Sequence, residues 1–197
     1  MACTLNSSRL RACKDAVGGI KKIHFVNFGE LGNIQVTEDG SSAAALGTIP
    51  NPVEITDVDG NFEYYTYDVK GNSSLETTIN SSFENGTTFF EQKLSVTLLK
   101  LTKEDNKELK LMAYGRPHVF VEDYKGQVMC VGLENGADVT GGTAVTGAAM
   151  GDLNGYTLEF TAMETEMPMF VSFPTLDDPF AGIGSGSYSA SSDIVQP

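Results

Sequence analysis

The stretch from Gly86 to Leu101 constrains the fold more than any other part of the chain, because it reads GTTFFEQKLSVTLLKL and alternates between two kinds of side chain. Successive residues of a β-strand point to opposite sides, so the alternation separates an apolar face from a polar one. The mainly apolar face carries Thr88, Phe90, Gln92, Leu94, Val96 and Leu98, and the mainly polar face carries Phe89, Glu91, Lys93, Ser95 and Thr97. The pattern lasts longer than an ordinary strand does. It predicts one long strand that buries one face and turns the other to water or to a channel.

A second alternating run spans Gly155 to Glu164 and reads GYTLEFTAME. One face carries Tyr156, Leu158, Phe160 and Ala162, and the other carries Thr157, Glu159 and Thr161. The recurrence of the pattern predicts a second long strand of the same kind.

A short helix is predicted between the two long strands. Thr102 is a suitable N-cap, and Asp105 stands where the acid of a capping box would lie. Leu109, Leu111 and Met112 follow as an apolar stripe. We therefore expect this helix to pack on the buried face of a sheet.

Shorter strand signals occur along the rest of the chain. They are Ile20–Phe28, Asn33–Val36, Val53–Asp57, Asn61–Lys70, Ser74–Ser81, Pro117–Tyr124, Gln127–Leu133 and Pro168–Phe173. Two links predict hairpins, since Asp59-Gly60 and Lys125-Gly126 stand between β-prone runs. The residues from Gly136 to Gly151 have few bulky side chains and predict either a loop or a weak edge strand. A further short helix is expected from Arg9 to Val17.

These signals predict a mainly β fold, a β-sandwich or open barrel with one or two short flanking helices. The expected organisation is a basic N-terminal segment over 1–19, a single β-rich domain over 20–173 and a Gly/Ser-rich acidic tail over 174–197. Within the domain, residues 30–52 are rich in glycine and are expected to form a long arm loop that contacts a partner chain. The tail has the composition of a flexible or partner-dependent segment, and no fold is predicted for it.

The charge of the chain is distributed unevenly. The formal net charge is −13, yet five basic residues precede Phe25 and no Lys or Arg follows Lys125. A folded nucleic-acid binder needs a basic surface that displaces counterions, so stable DNA or RNA binding by the body of this protein is disfavoured. An acidic surface would instead repel a phosphate backbone.

The cysteines argue against a disulfide-stabilised protein, and the apolar runs argue against a membrane-spanning or secreted one. Cys3, Cys13 and Cys130 form neither a disulfide framework nor a C-x-x-C pair, and they are expected to be reduced thiols. No apolar run approaches the roughly 20 residues that span a bilayer, and the start lacks an apolar signal region. We therefore expect no membrane partner and no secretory signal.

Residues that could carry chemistry have simpler structural explanations. The run Asp57–Asn61 resembles part of a calcium loop, but Phe62 stands where an EF-hand needs glycine, so a turn is favoured. His24 and His118 have no further metal ligand at suitable spacing and are expected to be core or sheet histidines. No nucleophile has an evident base nearby in the sequence. We predict no catalytic residue, no cofactor and no metal site.

The order of the elements resembles that of tail tube proteins of tailed bacteriophages, or of related virion ring proteins. The shared order is an N-terminal strand, a long arm loop, paired long strands, a short helix within TLLKLTKEDNKELKLMAYG and a closing GYTLEFTAMETEMPMFVSF. The similarity covers most of Ile20–Phe173 and consists of a structural pattern rather than catalytic motifs.

The resemblance implies a structural protein whose subunits form hexameric rings that stack into a tube. The inner sheets would join into one β-barrel around a lumen, through which DNA passes without stable binding. The implied partners are further copies of the chain and other tail, neck or sheath proteins. The implied location is the virion tail, after assembly in the cytoplasm of a host bacterium.

The resemblance also assigns roles to individual residues. The candidates for the lumen wall lie on the long strands and are Glu91, Lys93, Glu159 and Glu164. The candidates for contacts between subunits lie in the two ends of the chain and in the arm, and they are Arg9, Arg11, Asp39, Asp177 and Asp178.

Two other classes of function remain open from the sequence. One is a virion or secretion component that does not form a phage tail tube, such as a neck or adaptor ring, a head-decoration protein or a secreted hexameric tube. The other is a small acidic β enzyme, for example one acting on carbohydrate, which would require two carboxylates that converge in a cleft.

Overall fold

The computed structural model describes residues 17–38, 43–49, 51–69, 72–175, 177–183 and 187–191. These residues form thirteen β-strands and one α-helix, and the strands belong to two sheets. The prediction of a mainly β fold with a flanking helix is confirmed. Arg9, Arg11, Asp39, Cys3 and Cys13 lie outside the described residues, as does all but the last residue of the helix predicted from Arg9 to Val17.

The elements follow one another closely along the chain. The strands are β1 (Ile20–Val26), β2 (Ile34–Thr37), β3 (Ala44–Ala45), β4 (Glu54–Val58), β5 (Asn61–Asp68), β6 (Ser74–Ser82), β7 (Thr87–Leu99), β8 (His118–Asp123), β9 (Val128–Val131), β10 (Asp138–Val145), β11 (Gly155–Glu164), β12 (Met169–Val171) and β13 (Ser187–Ala190). The helix is α1 (Lys103–Tyr114) and lies between β7 and β8.

Nine strands form a sheet with the order β13-β5-β1-β8-β9-β12-β4-β2-β3, which curls into a half-barrel. β8 and β9 form one of the two predicted hairpins. The other predicted hairpin is wrong, because β4 and β5 are joined by Asp59-Gly60 but pair with different neighbours. Their turn binds the arm instead, since the N–H groups of Asp59 and Gly60 donate to the carbonyls of Asn33 and Leu31.

Four strands form a second, antiparallel sheet with the order β10-β11-β7-β6. The two long strands predicted from their alternation, β7 and β11, are direct neighbours in this sheet. β10 lies at one edge and carries an irregularity between Val139 and Gly141, in agreement with the weak edge strand considered for Gly136–Gly151.

Two hydrophobic cores occupy the two sides of the curled sheet. Alternate residues of β1 show this division, because Val26 belongs to one core while Ile23 and Phe25 belong to the other. The first core fills the concave side of the half-barrel, and the second lies between the two sheets, where Leu94 and Phe160 meet the curled sheet. In the described chain the curled sheet is therefore packed on both sides, with one core on each.

The described part of the expected tail differs from a free segment. Residues 177–183 and 187–191, here called the C-terminal segment, return across the concave side of the half-barrel. Phe180 and Ile183 are fully buried there, and β13 adds a parallel strand beside β5. Although the segment is rich in glycine and serine, it contains three large side chains that pack in the core, Phe180, Ile183 and Tyr188. Their burial offsets the conformational entropy that is lost when the segment becomes ordered.

The helix α1 begins as its sequence predicts but packs less extensively. Thr102 Oγ1 accepts a hydrogen bond from the backbone N–H of Asp105 at 3.0 Å, so the predicted N-cap is confirmed. No side chain of this fully described helix is buried, and Leu111 is 57% exposed. The expected packing of the whole apolar stripe is therefore wrong, and Met112 alone of the three contacts the core between the sheets.

Candidate functional surface

The side of the four-stranded sheet that faces away from the core, here called the outer face, is mainly polar. The alternation places every second residue of β7 and β11 on this face, and the register aligns β6 and β10 with them. Its polar residues include Glu76, Thr78, Asn80, Glu91, Lys93, Ser95, Thr97, Asp138, Thr140, Thr143, Thr157, Glu159 and Thr161. The predicted polar faces of the two long strands thus form one continuous surface.

Lys93 lies among acids on the outer face. Its Nζ is 3.0 Å from Glu91 Oε1, and its register partners are Glu76 on β6 and Thr161 on β11. The pair with Glu91 is largely exposed, so it contributes little to stability. It nevertheless offsets the positive charge of Lys93 locally. Four carboxylates, those of Glu76, Glu91, Asp138 and Glu159, stand against this one ammonium on the described outer face.

Glu159 stands on the outer face with a row of hydroxyl groups around it. Its side chain is exposed, and it faces Gly141 of the edge strand β10. Thr140 Oγ1 and Thr161 Oγ1 are hydrogen-bonded to each other at 3.0 Å beside it. Short hydroxyl side chains that bond to one another leave a smooth surface, from which the Glu159 carboxylate projects into solvent.

Glu164 does not belong to the outer face, and its assignment to the lumen wall is wrong for the described chain. It shares the parity of Tyr156 and Phe160, which point into the core, and it is only 3% exposed. Its carboxylate accepts hydrogen bonds from the backbone N–H groups of Glu134 at 3.3 Å and Asn135 at 2.9 Å. Burial raises the pKa of Glu164 despite these two bonds.

Gln92 is a second buried polar side chain that joins the two sheets. It lies on the apolar face of β7 and is 2% exposed. Its Oε1 accepts from the backbone N–H of Gly132 at 3.1 Å, and its Nε2 donates to the Glu166 carbonyl at 3.1 Å. The sequence offered a signal for both residues, because Gln92 and Glu164 are polar at positions where the alternation calls for apolar side chains.

Both edges of the four-stranded sheet are open in the described chain. β6 pairs with β7 alone, and β10 pairs with β11 alone. Natural edge strands usually carry lysine, proline or a pronounced bulge that discourages pairing with another chain. β6 reads SLETTINSS and has neither lysine nor proline, whereas β10 has the single irregularity after Val139.

The predicted subunit contacts in the C-terminal segment have different surroundings. Asp177 is exposed. Asp178 is engaged within the segment, because Oδ1 accepts from the Phe180 N–H at 3.0 Å and Oδ2 accepts from the Tyr188 hydroxyl at 2.9 Å. Its carboxylate therefore organises a local turn.

The two histidines are buried, in agreement with their expected structural roles. His118 Nδ1 lies 2.7 Å from the Gly132 carbonyl, and its Nε2 accepts from the Gly29 N–H. His24 Nδ1 lies 2.9 Å from Thr66 Oγ1, while its Nε2 lies 3.8 Å from Glu122 Oε2 and makes no hydrogen bond to the described residues. Burial is the main cause that lowers the pKa of His24 to about 4.

One cavity brings two carboxylates together. It has a volume of about 310 Å³ and lies between the arm, at Leu46–Ile49 and Pro52, and the residues Glu134, Thr165 and Glu166. Thr165 Oγ1 donates to Glu134 Oε2 at 2.9 Å. Burial and the nearby charge of Glu134 raise the pKa of Glu166. The cavity wall has no aromatic or basic side chain among the described residues.

No group of three or more His, Cys, Asp or Glu side chains within the described ranges is arranged to hold a metal ion. Among the same residues, no helix has both the length and the apolarity needed to cross a membrane. No protein-family model, curated protein or solved structure matches the chain.

Proposed function

We propose that this protein is a structural virion protein whose copies form stacked hexameric rings, and that the stack is the tail tube of a bacteriophage. The observation that carries the proposal is the four-stranded sheet, which combines a polar outer face with two open edges. Pairing β6 of one copy with β10 of the next would remove both edges and continue the sheet around a ring.

The charge of the outer face supports a conduit for DNA. Closing the ring would turn Glu91, Lys93 and Glu159 toward the lumen, together with Glu76 and Asp138. A wall with more carboxylates than ammonium groups repels phosphate, so DNA would slide without displacing counterions. In this proposal the partners are further copies of the chain and other tail proteins, and DNA is a passing cargo.

The experiment that tests this function is negative-stain electron microscopy of the purified protein over a range of concentrations, with light scattering on the same samples. Hollow tubes or stacked rings are the expected result. Single closed rings would replace the tube by a neck or adaptor ring, and a monomer at every concentration would contradict assembly altogether.

The cavity at Glu134 and Glu166 favours a second candidate, a small glycoside hydrolase. Two carboxylates at one cavity are the minimum that such chemistry requires. The candidate ranks below the tube because Glu134 is bonded to Thr165 and the wall lacks the aromatic side chains that usually bind sugar rings. Hydrolysis of aryl glycosides that is lost in Glu166→Gln would favour the enzyme.

A further inference from the structure

We propose that the C-terminal segment is exchanged between copies, so that in the assembled protein the segment of one copy fills the half-barrel of its neighbour. This inference rests on the proposed assembly, because the assembly supplies the neighbour. The occupant of the concave groove is already visible, since each copy holds its own segment there. The structural question is which copy supplies it.

The groove is built around the ring of Phe180. This ring lies 4.9 Å from the ring of Phe120, 5.0 Å from that of Tyr64 and 5.3 Å from that of Phe62, each measured between centroids. All three partners belong to the curled sheet. The segment therefore provides the central side chain of a core that the sheet cannot complete without it.

The rest of the segment behaves as one structural unit. Asp178 binds the Phe180 N–H and the Tyr188 hydroxyl, and the Ile183 N–H donates to the Phe180 carbonyl. Contacts with the body are made through the aromatic groove and through the pairing of β13 with the edge of β5. A segment from another copy would make the same contacts with the curled sheet, because these do not depend on the connection to its own body. The hydrogen bonds between Thr175 and Asp178 lie beyond Phe173 and would move with the segment.

The connection between the body and the C-terminal segment favours the exchanged arrangement, in which the segment leaves its own half-barrel. Phe173 has φ of 45° and is 82% exposed, so a bulky residue is held in the left-handed region without burial of its ring. Pro174 follows and favours extended backbone at the residue before it. An extended Phe173 would carry the chain away from its own half-barrel. Strained connections of this kind favour exchange between copies.

A copy that holds its own segment has the advantage of a high effective concentration, and assembly removes that advantage. A tethered segment experiences an effective concentration on the order of millimolar near its own groove. Stacked or ring-forming copies present neighbouring grooves at a comparable local concentration. With equal contacts and similar concentrations, relief of the strain at Phe173 decides in favour of exchange.

The test is a disulfide between Asn61 and Ser187, which face each other across the β5 and β13 pair and are both exposed. Neighbouring strands are about 4.8 Å apart, which suits a disulfide. Asn61→Cys and Ser187→Cys are introduced together with Cys3→Ser and Cys13→Ser, and the buried Cys130 is left in place. The oxidised sample is analysed by denaturing electrophoresis without reductant, and the same sample is examined by electron microscopy.

Exchange predicts a ladder of bands on the gel, from covalent dimers and higher oligomers. Each single-cysteine control should lack this ladder. Phe173→Gly should lower the fraction of bonds between chains by roughly fivefold or more, because glycine adopts positive φ freely. Phe173→Ala retains the strained backbone and should retain the ladder. Bonds confined to single chains, or no bond at all, would overturn the exchange.

The paired readouts separate the two proposals. Tubes that contain bonds only within chains would leave the tube function standing and overturn the exchange. Covalent dimers without rings or tubes would support the exchange and contradict the tube.

Discussion

Two buried polar residues show how single side chains hold this fold together. Gln92 and Glu164 both point from the four-stranded sheet into the core, and both bind backbone N–H groups in the turn that follows β9. A buried donor without a partner is costly, so these side chains specify where the turn lies against the sheet. They are structural residues of the joint between the two sheets.

Replacing Gln92 by leucine should destabilise the protein by about 1–3 kcal/mol, because the buried N–H of Gly132 would lose its acceptor. Urea unfolding followed by circular dichroism measures the change. Gln35→Leu is a matched control on an exposed strand position and should change the free energy of unfolding by less than about 0.5 kcal/mol. Equal stabilities of Q92L and wild type would contradict the role of this bond.

His24 should make the stability depend on pH between about 6.5 and 4. Burial, then Lys22, lowers its pKa in the folded protein to about 4, with a further lowering by Lys21 and an opposing effect of Asp68. As the pH falls through this window, the unfolded chain binds a proton that the folded chain refuses, so stability decreases. The expected loss is about 3 kcal/mol and is complete near the folded pKa.

His24→Gln removes this titration and provides the comparison. The free energy of unfolding, measured by urea at several pH values, should fall less steeply for H24Q than for wild type between pH 6.5 and 4. Other acids titrate in both proteins and cancel in the difference. Parallel curves for the two proteins would show that His24 does not cause the slope.

At the scale of elements, the edge strands distinguish this chain from a self-contained sandwich. β6 and β10 end the four-stranded sheet on opposite sides, and both present strand edges without the usual lysine or proline. On the curled sheet, by contrast, β13 covers the edge of β5. Within the described residues β13 and β3 are in turn the edge strands of the curled sheet, so what is particular to the four-stranded sheet is that its open edges border a polar outer face.

Ile79→Lys should prevent assembly without unfolding the subunit. Ile79 lies on β6, is 61% exposed and has the parity of the inward-facing residues. An inward-pointing lysine on an edge strand would bury its charge if another strand paired there. Light scattering should show monomers, while the melting temperature stays within a few degrees of wild type.

The matched control is Ile79→Thr, which removes the same apolar side chain but adds no charge. I79T should still assemble. Assembly of I79K at the concentrations at which wild type assembles would exclude β6 as the pairing edge.

At the scale of the whole molecule, charge and shape bear on the same proposal. The net charge of −13 disfavours binding to DNA, and the described acids of the outer face exceed its single lysine. A closed ring would place this face on the inside. Whether the outer face lies inside a ring can be tested by reversing the charge of that face from negative to positive.

Glu91→Lys combined with Glu159→Lys should make assembled particles retain short DNA, with an affinity that falls as salt rises. If the outer face lines a lumen, the retained DNA should resist nuclease. Glu84→Lys combined with Glu104→Lys makes the same charge change at exposed sites elsewhere, and DNA bound there should be digested. Equal digestion in both variants would contradict an inward-facing outer face.

Local patterns were sufficient for the two long strands and the helix start, but not for β3 and β13. Alternation identified β7 and β11, because one buried face imposes a period of two on any strand. Thr102 identified the start of α1, because an N-cap acts on the backbone three residues away. For the same reason the polar faces with Glu91, Lys93 and Glu159 were predictable, whereas Glu164 was misassigned although its parity already placed it with Tyr156.

The tertiary structure decided which distant parts of the chain pair and pack together. The sequence alone determined the mainly β class, the long strands and the sign of the charge, since these depend on periodicity and composition. The three-dimensional fold alone decided that β4 and β5 separate, that Gln92 and Glu164 join the sheets, and that Phe180 completes the half-barrel. Each of these depends on which distant surfaces meet, because a buried contact gains its free energy from partners far away in the chain.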